Sequence, residues 1–167
     1  MTHQRKLINI HEFSEVARAA LDSDAWNYLD GAAEKEASKA INQEALRALR
    51  LVPRIFNNVD TRDQTTVILG ETFSSPVVLA PTSPLRLFHE DAELAQMRAA
   101  RSKNALAIYS TDAHYPLETA AEVGDGRTWF QLYAYGDRAA TEEMLNRVKE
   151  AGFKALVVTA DAFYAGR

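Results

Sequence analysis

The first 50 residues carry apolar side chains at helical spacing. Between Asn9 and Leu21 apolar positions recur every three or four residues, and Asn9 is a candidate N-cap. Residues 24–49 continue this pattern with a break near Gly31, and Pro53 stands where a helical region would end. The pattern therefore predicts an N-terminal helical segment with one helix from about residue 9 and one or two more after it.

From residue 65 the pattern changes to short apolar runs that alternate with amphipathic stretches. Residues 65–81 predict two strands joined by a turn at Gly70–Glu71, and the second strand, 77–80, is wholly apolar. The elements predicted after it are helix 90–103, strand 105–109, helix 115–123, strand 129–133, helix 138–151 ending before Gly152, and strand 154–158. Strands that alternate with helices predict an α/β fold with a parallel sheet of right-handed βαβ units.

Each predicted parallel strand ends in small or polar side chains. In order along the chain these are Pro81-Thr82-Ser83, Ser110-Thr111, Gln131 with Tyr133, and Thr159 with Asp161. Ligands of parallel α/β folds bind where strands meet the loops that follow them, although hydroxyls there also cap helices or satisfy loop backbone. A buried glutamine amide without partners costs about 1–3 kcal/mol, so Gln131 is the residue that points most directly to a polar ligand.

Composition and charge narrow the function classes. The chain has 47% hydrophobic and 25% charged residues, which is typical of a globular domain, and its net charge is −4. No basic block stands out, so we expect neither a nucleic acid nor an anionic membrane as partner. There is no cysteine, no metal-ligand pattern, no GxGxxG and no P-loop. No secretory signal or membrane-length apolar run is recognisable, and we expect a cytoplasmic protein.

Five ordered blocks carry a family resemblance that runs from about Ile8 to the last residue. They are "YLDGAAEKE" (28–36), "VPRIFNNVD" (52–60), "TTVILGETFSSPVVLAPTS" (65–83), "FQLYAYGDR" (130–138) and "AGFKALVVTAD" (151–161). In order and spacing they resemble the N-terminal half of the FMN-dependent α-hydroxy-acid oxidase and dehydrogenase family. Glycolate oxidase, lactate oxidase, mandelate dehydrogenase and flavocytochrome b2 are members of that family.

The resemblance implies a half barrel. The family fold is a helical segment followed by a TIM (β/α)8 barrel with FMN at its C-terminal mouth. By this similarity, residues 1–64 are the helical segment and residues 65–167 are the first four βα units of the FMN-binding barrel. A complete barrel needs about 250 residues. We therefore expect a partner, a C-terminal half on a second chain or a longer parent, carrying the catalytic histidine and the substrate arginine, and we expect an oligomer.

The resemblance also assigns roles to particular residues. Those implied to hold the cofactor are Pro81, Thr82 and Ser83 against the flavin, and Ser110, Gln131 and Thr159 at the polar edge of its isoalloxazine ring. Tyr28 and Tyr133 are implied to lie beside the substrate, and Asp161 is implied to orient the family's catalytic histidine. The chemistry is consistent, because a glutamine amide and hydroxyls serve both the carbonyl acceptors and the N–H donor of a flavin.

Three functional hypotheses follow. The first is an FMN-dependent oxidoreductase that oxidises a small L-2-hydroxy acid to a 2-keto acid, active only when a C-terminal half completes it. The second is a non-catalytic half barrel that self-associates through uncovered sheet edges. The third is a relative with altered chemistry on a peptide or an amine. Ser83 stands where the family usually has alanine or glycine, and Asp112 stands where glycolate oxidase often has an aromatic residue. The segment "TADAFYAGR" departs from the family's common continuation after the fourth strand.

Overall fold

A computed structural model describes residues 7–161, and its chain divides into two compact units after Phe56. The first unit is helical and the second contains both sheets.

The helical unit contains three helices, α1 (Ile10–Ala20), α2 (Ser23–Asp30) and α3 (Ala37–Ala48). The predicted cap Asn9 begins α1, and its side-chain oxygen accepts a hydrogen bond from the Glu12 backbone N–H. Asp22 caps α2 in the same way, by accepting from the N–H groups of Asp24 and Ala25. Gly31 is the C-cap of α2, which explains the predicted break there.

The second unit begins with a β-hairpin, which the sequence pattern did not predict as a separate element. Strands β1 (Thr66–Ile68) and β2 (Glu71–Phe73) pair antiparallel, and Leu69 and Gly70 between them both have positive φ, 47° and 82°. Positive φ at both central residues is the geometry of a tight hairpin turn. The predicted turn therefore joins β1 to β2, and the prediction that it joins β1 to strand 77–80 is wrong.

A four-stranded parallel sheet follows, in the order β3–β4–β5–β6. Its strands are β3 (Val78–Leu79), β4 (Leu106–Ser110), β5 (Thr128–Leu132) and β6 (Leu156–Val158). Its connections contain α4 (Ala92–Ser102), α5 (Leu117–Gly124) and α6 (Arg138–Glu150), with a 3-10 turn over Leu85–Leu87 before α4. The alternation confirms the predicted βαβ series and the parallel sheet. Helix α6 ends before Gly152, whose φ of 85° suits a C′ glycine.

The core lies between this sheet and its helices. Its aromatic centre is Tyr109 and Phe130, which are 2% and 1% exposed, and Phe153 packs against both rings. Helices α4, α5 and α6 contribute Met97, Ala120 and Val148, respectively. Because side chains alternate along a strand, Ser110 and Gln131 point to the face opposite Tyr109 and Phe130.

Within residues 7–161, no helix is long and apolar enough to cross a membrane. The same residues contain no group of three or more histidine, aspartate or glutamate side chains placed to hold a metal ion.

Candidate functional site

Gln131 joins the ends of three neighbouring strands through its side-chain amide. It is 2% exposed and lies opposite Ser110 in the register of β4 and β5. Its Oε1 accepts hydrogen bonds from Ser110 Oγ at 3.1 Å and from the Thr111 N–H at 3.4 Å. Its Nε2 donates to Thr159 Oγ1, just beyond β6, at 2.9 Å. The structure thus brings together three of the predicted cofactor residues at one edge of the sheet.

Thr111 belongs to this network, although the sequence analysis assigns it no site role. Its hydroxyl donates to the Gln131 carbonyl at 2.6 Å and accepts from the Tyr133 N–H at 3.0 Å. The available signal was its place beside Ser110 at a strand end. The hydroxyl holds the backbone on both sides of Leu132, so it fixes where β5 ends and where Tyr133 begins.

The network leaves two hydrogen-bond donors without acceptors in the described part of the chain. An amide nitrogen carries two N–H donors, and Gln131 Nε2 uses one of them. Thr159 Oγ1 accepts that bond, so its own proton is unused. The Ser110 proton is engaged by Gln131 Oε1. Two buried or half-buried donors side by side fit the carbonyl acceptors at the pyrimidine edge of a flavin, so the residues present suit FMN.

The predicted flavin-facing stretch, Pro81 to Ser83, lies directly after β3. Pro81 and Ser83 are half-buried and Thr82 is exposed. The Thr82 N–H donates to the Ala80 carbonyl at 2.8 Å, which makes a tight turn where the strand ends. The Ser83 hydroxyl donates to the Asp112 carbonyl at 2.5 Å. This departure from the family pattern therefore ties the loop after β3 to the loop after β4.

Two tyrosines and a carboxylate stand next to the network. The rings of Tyr133 and Tyr135 stack with centroids 5.2 Å apart and an interplanar angle of 20°. The Tyr135 hydroxyl donates to Asp112 Oδ2 at 3.2 Å. Loss of hydration, followed by the neighbouring Asp112 carboxylate, raises the pKa of the Tyr135 phenol. Tyr135 thus remains a neutral donor that holds Asp112.

The other two predicted site residues are Tyr28 and Asp161. Tyr28 is on α2 in the helical unit and is 60% exposed. Asp161 follows β6 and is exposed. Their predicted roles toward substrate and histidine stay predictions, and the unusual segment 162–167 lies outside the described residues.

The chain is similar in sequence to flavin-dependent enzymes that act on hydroxy acids. Residues 17–167 match the family model described as FMN-dependent dehydrogenase. Glycolate oxidase 1 of Zea mays is 35% identical over 162 residues, which are 97% of this chain and 44% of that protein. The 2-hydroxyacid oxidase 2 of Bos taurus is 36% identical over 156 residues, 93% of this chain and 44% of that protein.

Solved structures of a related enzyme have the same fold as this chain. A crystal structure of mandelate oxidase superposes with a TM-score of 0.92 at 32% identity, and covers 97% of this chain and 47% of that one. The chain thus spans about half the length of the relatives it matches. The sheet described above is accordingly a partial TIM barrel. From the strand-end network, the family match and these likenesses together, the chain belongs to the FMN-dependent dehydrogenase family, whose cofactor is FMN.

Proposed function

We propose that this chain is the FMN-holding half of an oxidoreductase that converts a small L-2-hydroxy acid into a 2-keto acid. The observation that carries the proposal is the buried network of Ser110, Gln131 and Thr159 at the carboxyl ends of three adjacent strands. Relatives that are glycolate and 2-hydroxyacid oxidases support the substrate class. Mandelate oxidase structures support the same reaction type on a larger hydroxy acid.

The reaction removes two electrons and two protons from the hydroxy acid, one proton from the α-carbon and one from the hydroxyl. When bound, FMN supplies the two-electron oxidant. Gln131 and Thr159 would hold FMN by donating hydrogen bonds from Nε2 and Oγ1 to its carbonyl groups. The family resemblance assigns Tyr133 a role in binding the substrate carboxylate through its hydroxyl, and it assigns Tyr28 a place near the substrate as well. Asp161 orients the histidine of a C-terminal half, and that histidine accepts a substrate proton.

Each outer strand of the sheet has an unpaired edge, which supports the proposal that a second half completes the barrel. Within the described residues β3 pairs with β4 alone and β6 with β5 alone. The outer strands expose apolar side chains: Val78 is 36% exposed, Leu156 41% and Val158 58%. An eight-stranded barrel has no free edges, and four parallel strands in sequential order are half of one. A C-terminal half bound at these two edges would close the barrel.

The test is to purify the protein under native conditions and measure its flavin content, its mass and its polypeptide composition. We expect one FMN per chain and a C-terminal barrel half, either as a second polypeptide or as a continuation of this chain. Under anaerobic conditions an L-2-hydroxy acid should bleach the flavin absorbance, and its D enantiomer should leave the absorbance unchanged. Bound flavin that no L-2-hydroxy acid reduces would contradict the substrate assignment.

The alternatives predict different results. A colourless homo-oligomer would contradict the proposal and support a self-associating half barrel, because the same exposed edges can pair between copies. Bleaching by an amine or a modified peptide, with no response to hydroxy acids, would support altered chemistry. The contact between Ser83 and Asp112 is the feature that favours this last alternative.

A further inference from the structure

Helix α4 holds both ends of the loop stretch that follows β3. At the first end, Gln96 Nε2 donates to the Ala80 carbonyl at 2.9 Å. At the second end, the Leu85 N–H donates to Glu93 Oε1 at 3.3 Å. Glu93 and Gln96 are three residues apart, so they lie on the same face of the helix. Between the two contacts lie Pro81, Thr82 and Ser83.

Glu93 provides the hydrogen-bond acceptor for the backbone N–H of Leu85. In the part of the chain that the structure describes, the Leu85 N–H makes no other hydrogen bond. The backbone is therefore held at this point by one side chain. Ser83 is held independently by its hydroxyl bond to the Asp112 carbonyl. The stretch is thus anchored at its start, its middle and its end.

Glu93 is costly at this position if stability alone is considered. It is 1% exposed, and its Oε2 is buried with no hydrogen-bond partner among residues 7–161. Burying a carboxylate with an unsatisfied oxygen opposes folding, so helix stability alone does not explain a glutamate at this position. Burial, followed by the carboxylates of Glu93 and Glu118, raises the pKa of the neighbouring Tyr109 phenol. The neighbouring hydroxyl does not satisfy Glu93, since it donates to the Tyr115 carbonyl.

We propose that Glu93 and Gln96 are positioning residues that clamp the backbone of residues 80–85 and so fix Pro81, Thr82 and Ser83 against the flavin. This inference rests on the proposed function, because the stretch needs a fixed position only if it faces a cofactor. The clamp itself is a property of the protein without cofactor. The clamp on the backbone and its effect on flavin binding can therefore be tested separately.

The first measurement uses the protein without FMN and follows amide hydrogen exchange at Leu85. Glu93→Leu removes the acceptor, and we expect exchange of the Leu85 amide to become at least about tenfold faster. Glu93→Gln keeps Oε1 as an acceptor, and we expect it to restore most of the protection. Unchanged exchange in Glu93→Leu would overturn the clamp, whether or not the protein binds flavin.

The second measurement uses FMN titration and the visible spectrum of the bound flavin. Gln96→Met keeps the length of the side chain and removes its donor. We expect Gln96→Met and Glu93→Leu each to weaken FMN binding by about three- to tenfold and to shift the flavin absorption bands. Melting temperatures should stay within a few degrees of the unaltered protein. Arg101→Gln, which removes an exposed ion pair to Asp125 at the other end of α4, is the matched control.

The two sets of results separate the two proposals. If the unaltered protein binds no FMN, the proposed function fails, while the exchange at Leu85 still decides the clamp. If FMN binds and both variants bind it with unchanged affinity and spectrum, the positioning role is wrong and the proposed function stands. If Glu93→Leu does not fold, Gln96→Met decides the role alone, because its side chain is half-buried and uncharged.

Discussion

The side-chain amide of Gln131 donates a hydrogen bond from Nε2 to Oγ1 of Thr159 over 2.9 Å, which joins the ends of β5 and β6. The same amide accepts from Ser110 on β4, so its orientation is set from both sides. Among residues 7–161, one amide proton of Gln131 and the hydroxyl proton of Thr159 have no acceptor, so both can serve a ligand. A side chain that looks out of place in an apolar strand is therefore the centre of a hydrogen-bond network across three strand ends.

Replacing Gln131 by alanine should weaken FMN binding by at least about tenfold, because it removes a donor, the acceptor of the Ser110 hydroxyl and the donor to the Thr159 hydroxyl. Equilibrium titration with FMN, followed by fluorescence quenching, measures the change. Gln43→Ala is the control, since Gln43 is an exposed glutamine on α3. Equal FMN affinity in the Gln131 and Gln43 variants would remove the role assigned to Gln131.

Thr159→Val tests the second donor with little change in volume. We expect a loss of FMN affinity of about three- to tenfold, since the hydroxyl accepts from Gln131 and, in the proposed function, donates to FMN. Thr159→Ser keeps the hydroxyl and should retain most of the affinity. A serine variant as weak as the valine variant would indicate that packing, and not the hydroxyl, matters at this position.

The ion pair between Glu118 and Arg147 connects α5 to α6 with two contacts, at 2.9 Å and 3.0 Å. Hydrogen bonding to Arg147 is the main cause that lowers the pKa of Glu118 from 4.5 in the folded protein. A lowered folded-state pKa means that the pair stabilises the fold at neutral pH. That contribution should begin to disappear as the pH falls below about 4.5 and should be gone below the folded-state pKa.

Glu118→Gln should accordingly lower the free energy of unfolding by no more than about 1 kcal/mol at pH 7, because both side chains are well exposed. Urea unfolding at a series of pH values measures this difference, which should vanish in acid. Glu122→Gln, on the same helix and with no ion pair in the described structure, should change the stability little at any pH. A difference that grows in acid would contradict the sign of the shift.

Phe130→Ala should destabilise the sheet unit strongly. Phe130 is 1% exposed and packs on Tyr109 and Phe153, with ring centroids 6.3 Å and 5.5 Å away. Such a truncation costs about 3–5 kcal/mol, a large part of the stability of a typical domain. Urea unfolding followed by circular dichroism measures the loss. Val67→Ala, at a side chain 65% exposed, should change stability far less.

Local patterns predicted the regular elements well where the pattern was long. The helix expected over 138–151 is observed as Arg138–Glu150, and the strand expected over 105–109 as Leu106–Ser110. The strands within residues 65–81 were harder to predict, because strands of two or three residues carry little periodicity. Positive φ at Leu69, a residue type that rarely adopts it, gave the pattern no signal for the hairpin turn.

The sequence by itself determined the parallel α/β order, the polar strand ends and the family resemblance, because periodicity, residue type and motif order are written along the chain. Only the tertiary structure decided which polar groups meet. Ser110, Gln131 and Thr159 are 21 and 28 residues apart, and strand pairing brings them into hydrogen-bonding distance. The roles of Thr111, Glu93 and Gln96 also depend on contacts between elements, and spacing along one element cannot report such contacts.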